Sequence, residues 1–231
     1  MKTSIIIPAR LESTRFPRKM LAKHNGKTLI QYTYENAQKS GFEVIVATDS
    51  NEIAETVRAF NGEIIMTSHC DNGSDRVAMA ASNINSDVII NVQGDEPEVD
   101  PADLKRLSHQ TILNPMATLI TALDPSDADD RNIVKAVIDE TTPGGTRAIF
   151  FSRFPMASSP RVFYQHIGVY AYQKDILLKI SNRKPIPLEK VENLEQMRPL
   201  VMGIKIVACL TMFPTNGIDT EDDFTAFINR L

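Results

Sequence analysis

The chain predicts an α/β fold, with a mostly parallel mixed sheet flanked by helices and an antiparallel elaboration in its second half. Two observations carry this. Over the first hundred residues short β-rich runs alternate with longer amphipathic stretches, and beyond Pro101 strand-like runs follow one another without intervening helices. Residues 4–7 are a buried strand candidate. The apolar spacing of Leu29, Ile30, Tyr32, Thr33 and Ala37 predicts a helix that ends at Ser40-Gly41. Residues 43–47 are the next strand, 52–60 a helix closed by Asn61-Gly62, and 63–66 a third strand. A weaker helix over 75–82 leads to a strand at 87–91. A helix then runs through Leu107, and strands are predicted at 117–122, 134–138, 148–151 and 167–172. The end of the chain reads as a helix over 188–201, a strand at 205–210 and a helix over 220–231. Without repeats or low-complexity linkers, this predicts one domain over 1–231, elaborated roughly within 115–200.

The 231 residues bury a sizeable core without covalent staples. Cys70 and Cys209 are too few for a disulfide framework and lack CxxC spacing, so a reducing, cytoplasmic setting is expected. Lys and Arg number 25 against 29 Asp and Glu, a formal charge of -4, which argues against a nucleic-acid partner. No apolar run reaches the roughly 18–20 residues of a membrane span, and the run at 4–7 is too brief for a signal peptide, so no membrane insertion is expected.

Three segments carry chemistry. Pro8-Ala9-Arg10-Leu11-Glu12-Ser13-Thr14-Arg15-Phe16-Pro17-Arg18-Lys19 follows the first strand and packs four cations into ten residues. Ligands of open α/β sheets bind beyond the carboxyl ends of the strands, so this loop suits a triphosphate; a solvated loop paired to Glu12 is the alternative. Asn91-Val92-Gln93-Gly94-Asp95-Glu96-Pro97 sets a carboxylate at the exit of a buried strand, where Asp95 is either a Mg²⁺ anchor or an ordinary turn residue. Gly217-Ile218-Asp219-Thr220-Glu221-Asp222 is a second acidic turn, and Asp219 or Thr220 also suits the N-cap of the last helix. Gly26-Lys27-Thr28 imitates the end of a P-loop, but Leu21 stands where the leading glycine belongs and no strand precedes it. No GxGxxG is present either.

These segments, with Val46-Ala47-Thr48-Asp49, Gly73-Ser74-Asp75-Arg76, His166-Ile167-Gly168-Val169-Tyr170-Ala171-Tyr172 and the stretch from Pro187 to Arg198, resemble in order the 3-deoxy-manno-octulosonate (Kdo) cytidylyltransferases of lipopolysaccharide assembly. The resemblance implies a Rossmann-like nucleotidyltransferase fold, a Mg²⁺ requirement, a homodimer, and transfer of CMP from CTP to the anomeric 2-hydroxyl of a Kdo-type sugar acid with release of pyrophosphate. It places Pro8, Ala9, Arg10, Ser13, Thr14, Arg15, Lys19, Ser74 and Arg76 on the nucleotide. It gives Lys19, Arg15 and Asp95 the catalytic work, and Asp95 and Asp219 the metal. Gln93, Arg161, His166, Tyr170, Glu195 and Gln196 would meet the sugar acid. Taken alone, His166 reads as a hydrogen-bonded structural histidine, Tyr170 as core, and Glu195 and Gln196 as a solvated helix face.

The chain departs from the family pattern in places. Arg18 stands where the family has glycine, Met20 where it has proline, and Gln173 where it has arginine. The stretch between Ser152 and His166 is shortened, leaving Arg161 as the substitute for a family arginine. These changes favour the sugar side, so an acceptor variant such as 8-amino-3,8-dideoxy-manno-octulosonate stands beside Kdo. A sialic-acid-type CMP-sugar synthetase and a non-catalytic nucleotide-binding relative are the competing readings. Paired metal carboxylates argue against the last.

Overall fold

The computed structural model describes residues 1–141, 146–154, 163–213, 215 and 217–231. Two compact units emerge, residues 1–105 with 215–231 and residues 106–214.

The first unit opens with β1 (Thr3–Pro8), buried along its whole length as a strand covered on both faces must be. A loop and a 3₁₀ turn, Lys19–Leu21, lead into the hairpin β2 (Lys23–His24) and β3 (Lys27–Thr28). Its two-residue connection, Asn25-Gly26, has φ of 48° and 80°, both in the left-handed region that a type I′ turn requires. The P-loop-like Gly26-Lys27-Thr28 is therefore a hairpin rather than a phosphate cradle. Then come α1 (Leu29–Gln38), β4 (Glu43–Thr48), α2 (Asn51–Ala59), β5 (Glu63–Met66), α3 (Gly73–Ala81) and β6 (Val88–Asn91). The strands run parallel in the order β5-β4-β1-β6, with Ile5 opposite Val44 and Ile90. α1 buries Leu29, Ile30, Thr33 and Ala37 as their spacing predicts, with Tyr34 buried in addition and Tyr32 only half-buried, and α2 buries Ile53, Ala54 and Val57. α4 (Pro101–Leu113) begins in this unit and ends in the second.

The second unit holds β7 (Met116–Ala122), β8 (Lys135–Asp139), β9 (Arg147–Ser152) and β10 (Phe163–Gln173), then α5 (Lys174–Ser181), α6 (Pro187–Glu192), α7 (Met197–Val201) and β11 (Ile206–Leu210). Its strand order is β10-β7-β11-β9-β8, and a further β10–β8 pairing makes the series return on itself. The expected antiparallel elaboration is present in β10–β7, β8–β9 and β11–β9, while β11–β7 is parallel. The helix expected over 188–201 is instead two short helices. Asn193 adopts left-handed backbone at φ 53° and ends α6, so 193–196 form a connection. α5 was not anticipated from the sequence. The chain returns to the first unit with α8 (Glu221–Ile228), which sets Phe224 against Phe16 and Phe227 edge-on to Tyr32 at centroid distances of 6.0 and 5.4 Å.

Candidate active site

The loop after β1 leaves the carboxyl end of the sheet, where Ala9 is anchored by its N–H donating to the Ala47 carbonyl at 2.9 Å. Phe16 is the one buried side chain between Arg10 and Pro17, and the Lys19 N–H donates to its carbonyl at 3.2 Å. That fold-back delivers Lys19 Nζ to three acceptors: Asp95 Oδ2 at 2.5 Å, the Ile218 carbonyl at 3.0 Å and Asp219 Oδ1 at 3.1 Å. Arg15 Nη2 reaches the other Asp219 oxygen at 2.8 Å. The two acidic turns are themselves stitched together, the Ile218 N–H donating to the Asp95 carbonyl at 2.9 Å. Thr220 caps α8: its Oγ1 accepts from the Asp223 N–H at 3.1 Å and its own N–H donates to Asp223 Oδ2 at 2.8 Å. Capping thus falls to Thr220 and Asp223, and Asp219 is left to face Lys19 and Arg15.

Gly94 is required by close approach. A Cβ there would lie 2.7 Å from Met20 Sδ and 3.2 Å from the Pro8 carbonyl oxygen, while Thr33 Oγ1 donates to the Gly94 carbonyl at 2.8 Å. Met20, at the family's proline position, is buried and fills this gap. Lys19 and Asp95 keep 12% and 24% of their side-chain surface, against 58% and 41% for Arg15 and Asp219. The Lys19–Asp95 pair is the less screened of the two.

Sequence reasoning passed over Glu96. The residue is half-buried, but its carboxyl is packed so closely that a Cβ on Gly217 would lie 3.2 Å from Oε1. Desolvation, then the neighbouring Asp95 charge, push its pKa up to about 8. Thr215 Oγ1, two residues before the second acidic turn, donates to Glu96 Oε2 at 2.8 Å.

At the start of α3, Asn72 Oδ1 caps by accepting from the Asp75 N–H at 2.8 Å. Gln93 Nε2 donates to Asn91 Oδ1 at 3.1 Å and Asn91 Nδ2 to Ser74 Oγ at 3.4 Å, so residues expected on the sugar and nucleotide sides share one polar chain. Arg76, expected on the nucleotide, is 4% exposed and holds Asp49 at 2.8 Å and Thr67 Oγ1 at 2.7 Å. Burial works to raise the Asp49 pKa, and the Arg76 hydrogen bond and charge outweigh it, leaving the carboxyl below its ordinary range. Pro8 and Ala9 are buried, Ser13 and Ser74 half-buried, and Arg10 and Thr14 exposed.

In the second unit, His166 and Tyr170 are buried with ring centroids 5.3 Å apart. Desolvation pushes the His166 pKa down to about 3 and, with the Tyr172 and Glu195 charges adding to it, drives that of Tyr170 well up. Gln196 is buried and Glu195 half-buried in the α6–α7 connection, so neither lies on a solvated helix face. A buried bidentate pair closes that connection, Arg198 Nε and Nη2 donating to Glu189 at 3.0 and 2.5 Å. Arg161 lies outside the described residues.

Two carboxylates converging on one ammonium form a donor set suited to a divalent cation, since Mg²⁺ takes one or two carboxylates and leaves its remaining positions to phosphate oxygens and water. No cluster of three or more His, Cys, Asp or Glu able to hold a metal occurs among the described residues.

A basic loop and paired carboxylates at the carboxyl end of a parallel sheet define a nucleotidyltransferase. Residues 4–206 match the family model described as cytidylyltransferase. A 3-deoxy-manno-octulosonate cytidylyltransferase of Chlorobium phaeobacteroides (strain BS1) is 41% identical, over 100% of this chain and 97% of that protein. The enzyme of the same name from Geobacter metallireducens is 38% identical over 100% and 98%. Among solved structures, CMP:2-keto-3-deoxy-manno-octonic acid synthetase complexed with CTP superposes with a TM-score of 0.90 at 34% identity, each chain wholly covered. The 4-diphosphocytidyl-2C-methyl-D-erythritol synthase of Anaerococcus prevotii, 11% identical with a TM-score of 0.68, shares the fold alone, each chain covered to 99%. The chain belongs to the 3-deoxy-manno-octulosonate cytidylyltransferase family. The nucleotidyltransferase fold implied by the sequence resemblance is the fold of the chain.

Proposed function

We propose that this chain transfers CMP from CTP to the anomeric 2-hydroxyl of Kdo, or of its 8-amino-8-deoxy variant, releasing pyrophosphate for lipopolysaccharide synthesis. The observation that carries the reading is Lys19 Nζ held between Asp95 and Asp219, with Arg15 on the far oxygen of Asp219. Attack on the α-phosphorus asks the protein mainly for in-line positioning and for neutralisation of developing charge. Arg10, Arg15 and Lys19 grip the triphosphate, and Lys19 and Arg15 stabilise the departing pyrophosphate. Asp95 and Asp219 would hold Mg²⁺, which when bound neutralises phosphate charge and lowers the pKa of the attacking hydroxyl. No dedicated base is invoked. Pro8, Ala9, Ser13, Thr14, Ser74 and Arg76 belong to nucleotide recognition, Arg76 through the Asp49 ion pair rather than by direct reach. Gln93, His166, Tyr170, Glu195 and Gln196 receive the sugar acid, with Arg161 supplying a further cation. The whole chain acts as one catalytic domain in a cytoplasmic homodimer, its elaboration within 115–200 serving the sugar and the dimer. Among the described residues no helix is long and apolar enough to cross a membrane.

Pyrophosphate release with CTP, Mg²⁺ and either Kdo, its 8-amino variant or a sialic acid tests this. CTP with Kdo or the amino sugar is expected to turn over, and a clear preference for Kdo discards the amino variant. Asp95→Asn is expected to abolish pyrophosphate release in a folded protein. Near-normal turnover in that variant removes Asp95 from the mechanism.

A further inference from the structure

β10 does not run regularly along β7. Its register slips between Ile167 and Tyr170, so that Ile167 lies opposite Leu119 and Tyr170 opposite Thr118, with Gly168 and Val169 taken up in an irregularity. Four residues of unbroken strand would separate the His166 and Tyr170 backbones by about 13 Å. Here their rings lie 5.3 Å apart, and Phe151 meets the imidazole edge-on at 4.8 Å.

Thr118 sits at this irregularity and is wholly buried. Its Oγ1 lies 2.9 Å from the Val169 carbonyl, 3.4 Å from the Ile167 carbonyl and 3.0 Å from His166 Nε2. A threonine hydroxyl has one proton and two lone pairs. The carbonyls can only accept, and two oxygens 2.9 Å apart need a proton between them, so the single proton goes to the Val169 carbonyl and not to the imidazole. The oxygen is then an acceptor toward the imidazole, and Nε2 must carry the ring proton. Burial keeps the ring neutral at physiological pH, so Nδ1 is a bare acceptor. His166 is 8% exposed, and among the described residues Nδ1 has no hydrogen-bonding partner. Nδ1 is not one of the fully buried unpaired atoms among the described residues, so this acceptor keeps some open surface from which a ligand group can donate to it.

We infer that Thr118 is a positioning residue: it locks His166 as the Nε2–H tautomer and so makes Nδ1 an acceptor for a hydroxyl of the sugar acid. This rests on the proposed placement of the sugar acid at His166 and specifies its polarity. The site would read a donating O–H or N–H group and reject an acceptor such as a ketone or ether oxygen at the same place.

The test combines ¹⁵N NMR of the imidazole in the free enzyme with steady-state kinetics. In the wild type, Nε2 is expected to resonate as protonated and Nδ1 as bare throughout the neutral range. Thr118→Val keeps the side-chain shape but cannot accept from the ring. It is expected to shift the tautomer signature and raise the KM for the sugar acid about tenfold, leaving the KM for CTP unchanged. Thr118→Ser is expected to restore both, which a purely packing role of the threonine methyl would not predict. A protonated Nδ1 in the wild type, or an unchanged tautomer and sugar KM in Thr118→Val, overturns the inference. His166→Ala with an unchanged sugar KM overturns instead the placement of the sugar at His166, and with it the functional half of the inference.

Discussion

Arg18 lies in the left-handed region, at φ 58° and ψ 28°, where an L-residue crowds its own carbonyl. The glycine expected here from the family pattern has a backbone reason, and the arginine carries strain that glycine would not. Its guanidinium pairs with Glu52 in the first turn of α2, so the added charge of the loop is committed to a helix end and not to the acidic turns. Both partners are exposed, and such a pair contributes little. Removing it with Arg18→Ala or with Arg18→Gly costs the same interaction, but only glycine relieves the backbone. Arg18→Gly is expected to be more stable than Arg18→Ala by about 1 kcal/mol, reversing the usual order of the two residues. Urea denaturation of both variants checks this, and an alanine variant as stable as the glycine one would show the strain to be absent. The residues taken one segment at a time mark Lys19, Asp95 and Asp219 as separate candidates, and the family resemblance sets the basic loop facing the two acidic anchors; Lys19 and Asp219 meet across 200 residues, so only the tertiary fold supplies the contact itself. Thr118 gave no signal at all. It is one of two threonines in the otherwise apolar β7, and its meaning depends on where β10 loses register.

Among the elements, the parallel strands were the most legible because their apolar runs are continuous and bounded by turn residues; residues 63–66 match the observed β5 end to end. The α6–α7 connection was the least legible. Residues 188–201 keep a helical apolar period, and a single left-handed residue, Asn193, is enough to break it. What holds the break is the buried Arg198–Glu189 pair. Arg198 Nη1 also donates to the Ile180 and Arg183 carbonyls at 3.4 and 3.3 Å, so one guanidinium ties α7 to α6 and to the end of α5. Glu195 and Gln196 are thereby held in a short connection clamped at both ends. Arg198→Met leaves Glu189 buried and unpaired, and is expected to cost about 3–5 kcal/mol. Replacing both partners by methionine removes the stranded charge, so the double variant is expected to recover a substantial part of that loss. A double-mutant cycle in urea measures the coupling, and strictly additive losses would sink the claim that the pair acts as a unit.

At the scale of the whole molecule, two desolvated side chains give stability opposite dependences on pH. His166 has its pKa lowered from 6.5 to about 3 by desolvation, so between these values a proton binds the unfolded chain and not the folded one. Its contribution is complete above 6.5 and is lost as pH falls. Glu96 has its pKa raised from 4.5 to about 8 by desolvation and the Asp95 charge, so the folded chain holds a proton that the unfolded chain has released. Its contribution is complete below 4.5 and is lost as pH rises. Between 4.5 and 6.5 the two slopes oppose, each at most about 1.4 kcal/mol per pH unit, and stability is expected to be nearly level. From 6.5 to 8 Glu96 acts alone and stability is expected to fall with rising pH. The depressed carboxyls of Glu43, Asp49 and Asp223 add loss only on the acid side, below their ordinary values. Urea midpoints of chelator-treated protein across this range separate the contributions. Glu96→Gln is expected to abolish the decline between 6.5 and 8, while His166→Phe is expected to turn the level region into one that falls with rising pH. If Glu96→Gln follows the wild type through the upper window, the decline belongs to another group and the enclosed carboxyl beside Asp95 is ionised like an ordinary glutamate.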